Sequence, residues 1–205
     1  ITGDNVHVAK HVAQQVGLLR HGWGLSEDDR LLHALPLHHL HGLGISLLNV
    51  LLSGGSIRML PRFDARRVWE TFAGGGCTVW MSVPTMYQKL FEAFDGADGA
   101  TRARWAAGAA RLRLATSGSA ALPVGLAGRF RELTGAIPLE RYGMTEIGVG
   151  ASNPLDPALR RAGSVGPALP SVEARIVGDD GADASAGPGE LLIRGPSVFA
   201  GYHGR

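Results

Sequence analysis

Lysine is nearly missing from this chain: among 20 Lys and Arg residues only Lys10 and Lys89 are lysine. Cysteine is scarcer still. With Cys77 alone, an intrachain disulfide and a cysteine-based zinc site are excluded, and a reducing, cytoplasmic setting is expected. Long apolar runs are missing too. Leu43–Leu52 and Thr78–Val83 fall short of the ~20 residues that cross a bilayer, and no secretory signal opens the sequence, so no membrane partner is expected. Charge of one sign is also absent: 20 basic against 18 acidic residues, scattered, give +2, which argues against a nucleic-acid surface.

What remains is 205 residues, 45% hydrophobic, enough to bury a substantial core as one globular domain. Val8, Val12, Val16 and Leu19 recur at helical spacing and predict a helix over 4–20, capped by Asp4 or Asn5 and stopped by Gly22. Arg30–Leu35 is a short apolar run ended by Pro36. His38, His39 and His41 follow in a turn, and Leu43–Leu52 is long enough to suggest a buried helix closed by Gly54 and Gly55. Further on, strands are expected at Ser56–Leu60, Thr78–Val83, Leu112–Thr116 and Ile137–Arg141, and helices over 66–72 (capped by Asp64), from Pro84 through Phe94, and over 123–134. Residues 95–110, rich in Gly and Ala with no clear period, read as a surface loop with room for one helical turn.

Strands alternating with helices imply an α/β fold with a mostly parallel sheet flanked by helices. After Gly163 the texture turns β-rich, with alternation at Val172–Val177 and Glu190–Arg194, a turn at Gly178–Gly181 and an exposed loop over 182–189. The domain is accordingly divided into an α/β part, 1–163, and a β-rich segment, 164–205.

Three stretches hold more chemistry than folding requires. In Leu35–Gly44, His38 and His41 could share a face and bind zinc, but no third ligand at matching spacing is evident; a satisfied or exposed histidine cluster is the plainer alternative. In Leu114–Pro123, Gly118 and Ala120 allow close backbone approach to a flat ligand and Ser119 can hydrogen-bond, although a tight strand-to-helix turn would look the same. In Leu139–Glu146, polar groups crowd one strand end, where open α/β sheets bind ligands. Glu146 can hold Mg²⁺, Thr145 can donate to a phosphate oxygen, and Tyr142 offers a stacking face.

In this order and at these separations the segments resemble the AMP-forming acyl-CoA synthetases of the adenylate-forming superfamily. Tyr142-Gly143-Met144-Thr145-Glu146 is similar to that family's Tyr-Gly-x-Thr-Glu motif, Pro36–Gly42 to its Pro-Leu-x-His-x-x-Gly segment, and Gly189–Pro196 with Gly201-Tyr202 to its Gly-Glu-(Leu/Ile)-x-(Val/Ile)-(Arg/Lys)-Gly…Gly-Tyr segment. Within the family, Pro36–Gly42, Val83–Tyr87, Ser117–Pro123 and Glu140–Glu146 look most like the malonyl-CoA synthetases. The resemblance covers essentially the whole chain and implies part of the family's large N-terminal domain. It implies an enzyme that joins a carboxylic acid to coenzyme A through an acyl-adenylate, using ATP, coenzyme A and Mg²⁺.

Carried over, Gly118, Ser119, Ala120, Tyr142, Gly143 and Met144 would line the nucleotide site, with Thr145 on the α-phosphate and Glu146 as metal ligand. His41, Arg141 and Ser119 would border the acyl site, with His41, Thr145 and Glu146 catalytic. Arg141 could pair with the second carboxylate of malonate or methylmalonate, or else pair with Glu140 and face solvent. Lys89 would be a further basic residue of that pocket. Fatty-acyl-CoA ligases and peptide-synthetase adenylation domains are alternatives within the family. Outside it, a nucleotide- or acyl-binding remnant without turnover is the alternative.

Neither lysine fits the family's phosphate loop, since Lys10 falls within the first helix and Lys89 follows Tyr-Gln. The sequence opens on Ile1 and closes on Arg205, so a piece of a longer protein is expected, and the 205 residues alone are expected to be inert. Oligomeric state is not legible.

Overall fold

A computed structural model describes residues 3–183 and 187–202, and the side chains from residue 12 onward within that span. The first helix, α1 (Gly3–Gly22), matches the expected span. Its cap at Asp4 or Asn5 and the side chain of Lys10 lie outside the described residues, as do Ile1, Arg205 and part of the 182–189 loop.

Six strands form one sheet: β1 (Arg30–His33), β2 (Ser56–Met59), β3 (Val79–Ser82), β4 (Leu114–Ser117), β5 (Leu139–Met144) and β6 (Gly148–Ser152), in the spatial order β2-β1-β3-β4-β5-β6. Pairing is parallel from β2 to β5, and only β6 runs antiparallel. Each of β3 and β4 is buried along its whole length, which is why these runs are apolar or β-branched rather than alternating. The register places Ser82 beside Ser117 and Ser117 beside Glu140, so the carboxyl ends of the central strands finish level.

One face of the sheet is covered by α3 (Ala65–Ala73), α4 (Pro84–Asp95), α5 (Gly99–Ala109) and α6 (Val124–Thr134). Asp64 caps α3, its carboxylate accepting from Arg67 N–H at 2.9 Å, and Pro84 occupies the first turn of α4. The core here is aromatic: Trp69 stacks on Trp105 with ring centroids 5.8 Å apart. On the other face, Leu19 of α1, Ile45 and Val50 pack against Leu31, Val79, Leu114 and Leu139. A separate antiparallel pair, β7 (Glu173–Val177) with β8 (Glu190–Arg194), follows. Among the described residues no helix is long and apolar enough to cross a membrane.

Two expectations are corrected. Residues 95–110 are not a loop: α5 fills eleven of them, capped by Asp98, whose carboxylate accepts from Thr101 N–H and hydroxyl. Small residues concealed its buried stripe of Trp105, Gly108 and Ala109, in which Gly108 lets the helix close on α3. Secondly, Leu43–Leu52 is buried on one face only, with Leu43, Leu51 and Leu52 exposed. Its first part belongs to a π-helix over His41–Leu48, and only α2 (Asn49–Leu52) is α-helical. Strand β6, which had no sequence expectation, returns from the Gly148 turn (φ +68°).

Candidate active site

The carboxyl ends of β1, β4 and β5 and the π-helix surround a cavity of about 560 Å³. Leu35, Pro36, Leu40, Ile45, Val83 and Met86 give it an apolar wall, while His41, Ser119, Arg141, Thr145 and Glu146 supply polar groups. That combination, mostly apolar with a few convergent polar atoms, suits a small ligand with a charged end.

Arg141 is the more buried of the two charged side chains that line the cavity, Arg141 and Glu146. Alternation along β5 turns it toward the cavity, and its side chain packs under Gly118, where an added Cβ would lie 2.6 Å from the guanidinium carbon. It is 5% exposed, its Nε and one terminal nitrogen find no acceptor, and none of the ion pairs among the described residues includes it. Burial alone pulls its pKa down to about 10. The alternative in which Arg141 pairs with Glu140 and faces solvent is therefore corrected. Glu140 points to the opposite face of the strand, where its carboxylate accepts from Leu122 N–H at 3.3 Å and Gly163 N–H at 3.1 Å. Burial raises its pKa against those two donors.

His41 stands at the start of the π-helix, with Nδ1 3.2 Å from Ser119 Oγ and Nε2 unpartnered. Burial, then the Arg141 charge, then His33 hold its pKa down to about 2, so the imidazole is neutral at physiological pH. Ser119 adopts φ +69°, a conformation uncommon outside glycine, and this turn brings its hydroxyl to His41. Next to it Gly42 leaves no room for a side chain, since a Cβ would sit 2.1 Å from Pro36 O.

At the mouth, Gly143, Met144, Thr145 and Glu146 line the same cavity. Tyr202 donates from its hydroxyl to Glu146 Oε1 at 2.7 Å, which lowers the Glu146 pKa and engages only one of the two carboxylate oxygens. Phe199 N–H donates to Glu146 O, so the segment after β8 braces this turn.

The structure thus gathers His41, Ser119, Arg141, Gly143, Met144, Thr145 and Glu146. Gly118 is in close contact with the Arg141 guanidinium and leaves room for it. Ala120 is exposed and Tyr142 half-buried, and both stand outside the cavity lining. Lys89 is exposed on α4 and does not reach the cavity; Met86, one turn earlier, does. His38 and His39 remain at the surface with rings 4.3 Å apart, while His41 is buried. Among the described residues, no three His, Cys, Asp or Glu side chains gather as a zinc site built on His38 and His41 would need.

Sequence reasoning missed His33 and Ser46, whose Nδ1 and Oγ lie 3.2 Å apart beneath the site, and Asn49. The available signal was a polar residue inside an apolar run.

The family model described as "AMP-binding enzyme" matches residues 4–203. The mitochondrial malonate–CoA ligase of Mus musculus is 42% identical over 219 residues, the match covering 94% of this chain and 37% of the relative. A malonate–CoA ligase of Arabidopsis thaliana is 38% identical, covering 96% and 34%. Among solved structures, a malonyl-CoA ligase ternary product complex with methylmalonyl-CoA and AMP bound superimposes with TM-score 0.83 at 38% identity, covering 95% of this chain and 41% of that one. Apo MatB from Rhodopseudomonas palustris gives TM-score 0.79 at 37% identity, covering 94% and 36%. The chain spans little more than a third of the curated relatives it matches.

Proposed function

Because the chain belongs to the AMP-binding enzyme family, we propose that this protein is a carboxylate–CoA ligase acting on malonate, methylmalonate or another short acid, with a diacid favoured. ATP and coenzyme A are its other substrates. A carboxylate oxygen of the acid bonds to the α-phosphorus of ATP as pyrophosphate leaves, and the coenzyme A thiolate then takes the acyl carbonyl as AMP leaves.

The observation that carries the diacid assignment is Arg141. A buried guanidinium without an acceptor is costly, and a second carboxylate reaching it would supply both charge and bidentate hydrogen bonds. A long acyl chain in the same place would leave that charge desolvated and unpaired. His41, neutral and fixed by Ser119, can donate one ring N–H to the reacting carboxylate without competing with Arg141 for charge. Thr145, which lines the same cavity, is assigned to donate to the α-phosphate, and the apolar wall from Leu35 to Met86 to keep water from the mixed anhydride. The nucleotide site is assigned to Gly118, Ser119, Ala120, Tyr142, Gly143 and Met144.

The donor set also fits Mg²⁺. Such ions bind proteins through one or two carboxylates and complete their shell with water and phosphate oxygens, and Glu146 keeps one carboxylate oxygen free. When bound, Mg²⁺ would neutralise charge on the phosphate oxygens. The single, buried Cys77 supports a reducing, cytoplasmic setting.

The test is thioester formation by the full-length protein with malonate, methylmalonate and octanoate. Malonate should exceed octanoate by at least about 100-fold in kcat/KM, and Arg141→Leu should remove that preference, since losing one partner of a buried charge pair costs about 2–5 kcal/mol. Equal use of malonate and octanoate, or unchanged malonate use in Arg141→Leu, defeats the diacid assignment.

A further inference from the structure

His41 is delivered by an unusual piece of backbone. Residues His41–Leu48 wind as a π-helix and tighten into α2 at Asn49. The π form is rare, occurs mostly as short turns, and is found frequently at functional sites, so its retention here calls for a group that fixes it. That group is the side chain of Asn49, fully buried at the junction. Its Nδ2 donates to Gly44 O at 3.2 Å and to Ile45 O at 3.0 Å. Meanwhile the Asn49 backbone N–H turns to Ser46 O, leaving Ile45 O without the donor an α-helix would give it. The side-chain amide thus donates to both carbonyls at the point where the π-helix passes into α2.

The π-helix also meets the sheet side of the site at Ser46, 3.2 Å from His33 Nδ1, and passes close to Pro36 O at Gly42. A slip of one residue in helical register would rotate His41 by about 100° about the helix axis. Its Nδ1 could then no longer meet Ser119 Oγ.

Building on the ligase reading above, we propose that Asn49 is a positioning residue: its side-chain amide holds the π-register of residues 41–48 and thereby keeps His41 against Ser119 and beside Arg141. Asn49 touches no substrate and acts through His41.

Two readouts on the full-length protein separate this role from general support of the fold and from the ligase reading itself. The first is ¹⁵N NMR of the histidine ring nitrogens, with His41 assigned by substitution. The second is the Michaelis constant for malonate against that for ATP. Asn49→Leu keeps the branched shape and removes the donors; Asn49→Ser, a smaller side chain that adds no bulk, cannot span both carbonyls and carries the test where the leucine variant does not fold. Both should move the His41 ring signals and raise KM for malonate about tenfold, with KM for ATP within twofold. Ser53→Ala is the control, because Ser53 Oγ donates to Asn49 O at 2.7 Å and its loss loosens the same helix without touching Gly44 or Ile45. It should leave His41 and both KM values unchanged. His41 signals identical to wild type in the Asn49 variant that folds, or displaced equally by Ser53→Ala, overturn the proposal. Absence of turnover in the wild type overturns the ligase reading instead, and the NMR comparison then decides Asn49 alone.

Discussion

Arg141 holds a charge in a place that stability alone would not choose. Replacing a buried, unpaired cation by an apolar side chain of similar length removes its desolvation penalty. Arg141→Met is expected to raise the urea-unfolding stability of the ligand-free protein by about 1–3 kcal/mol, while the carboxylate preference is lost; a destabilised variant would show that the guanidinium is satisfied in solution. His41 gives a second residue-level consequence, in pH. Its pKa is about 2 in the folded protein and near the ordinary 6.5 when unfolded, and His33 is lowered in the same direction by burial. Between those values the unfolded chain binds a proton that the folded one does not, so stability is full above about pH 6.5 and falls with acidification, by up to about 1.4 kcal/mol per pH unit for each group. His41→Asn should flatten the decline between pH 6 and 4 in a series of urea titrations, and an unaltered slope would reject the assignment. Both residues could be singled out from sequence because each sits in a motif of polar residues. His33 and Asn49 left only the weaker signal of a polar residue inside an apolar run, and their partners, Ser46 Oγ and the carbonyls of Gly44 and Ile45, are fixed only by the folded backbone.

At the scale of elements, α5 shows why composition misleads. Its Gly and Ala residues give little periodic signal, yet Gly108 is required: a Cβ there would lie 2.4 Å from Ala73 N and 2.5 Å from Ala73 Cα, backbone atoms that no rotamer change can move. Alanine is the better helix former by about 1 kcal/mol, so propensity and packing make opposite forecasts. Gly108→Ala is expected to lower stability by about 1–3 kcal/mol, the usual range for overpacking. Gly125→Ala in α6, where nothing lies within 4 Å of the new Cβ, should raise it by about 0.5–1 kcal/mol. Thermal unfolding of the two variants side by side checks this, and a stabilised Gly108→Ala would mean that α5 and α3 are not in close backbone contact. Strands β3 and β4, in contrast, were legible to within two residues, because burial along their whole length leaves runs that side-chain chemistry reveals, whereas β1 was visible only as a short apolar run. β6 escaped for the opposite reason. Its Gly-Val-Gly-Ala-Ser sequence has little strand character, and its place is set by the Gly148 turn and by pairing with β5.

Across the whole molecule, the sheet places its chemistry at one end. The carboxyl ends of the parallel strands carry His33, Ser117, Arg141 and the Thr145-Glu146 turn, the position that alternating strands and helices imply for an open α/β sheet. The distribution of charge there is uneven. Among the described residues lining the cavity, Arg141 is the only Lys or Arg side chain, and it sits on the side assigned to the acid rather than to the phosphates. Adenylate formation depends on positioned cations that stabilise charge developing on the phosphate oxygens. The 205-residue polypeptide assayed by itself is therefore expected to separate two properties. Malonate should perturb the His41 ring signals with millimolar affinity, reporting the acid end of the cavity. Exchange of labelled pyrophosphate into ATP should stay at the level of a protein-free blank, with a full-length malonate–CoA ligase as positive control. Exchange at even about 1 s⁻¹, the lower end of ordinary turnover, would show that the groups in this cavity suffice to activate the α-phosphate, and the assignment of Arg141 to the acid alone would then have to be given up.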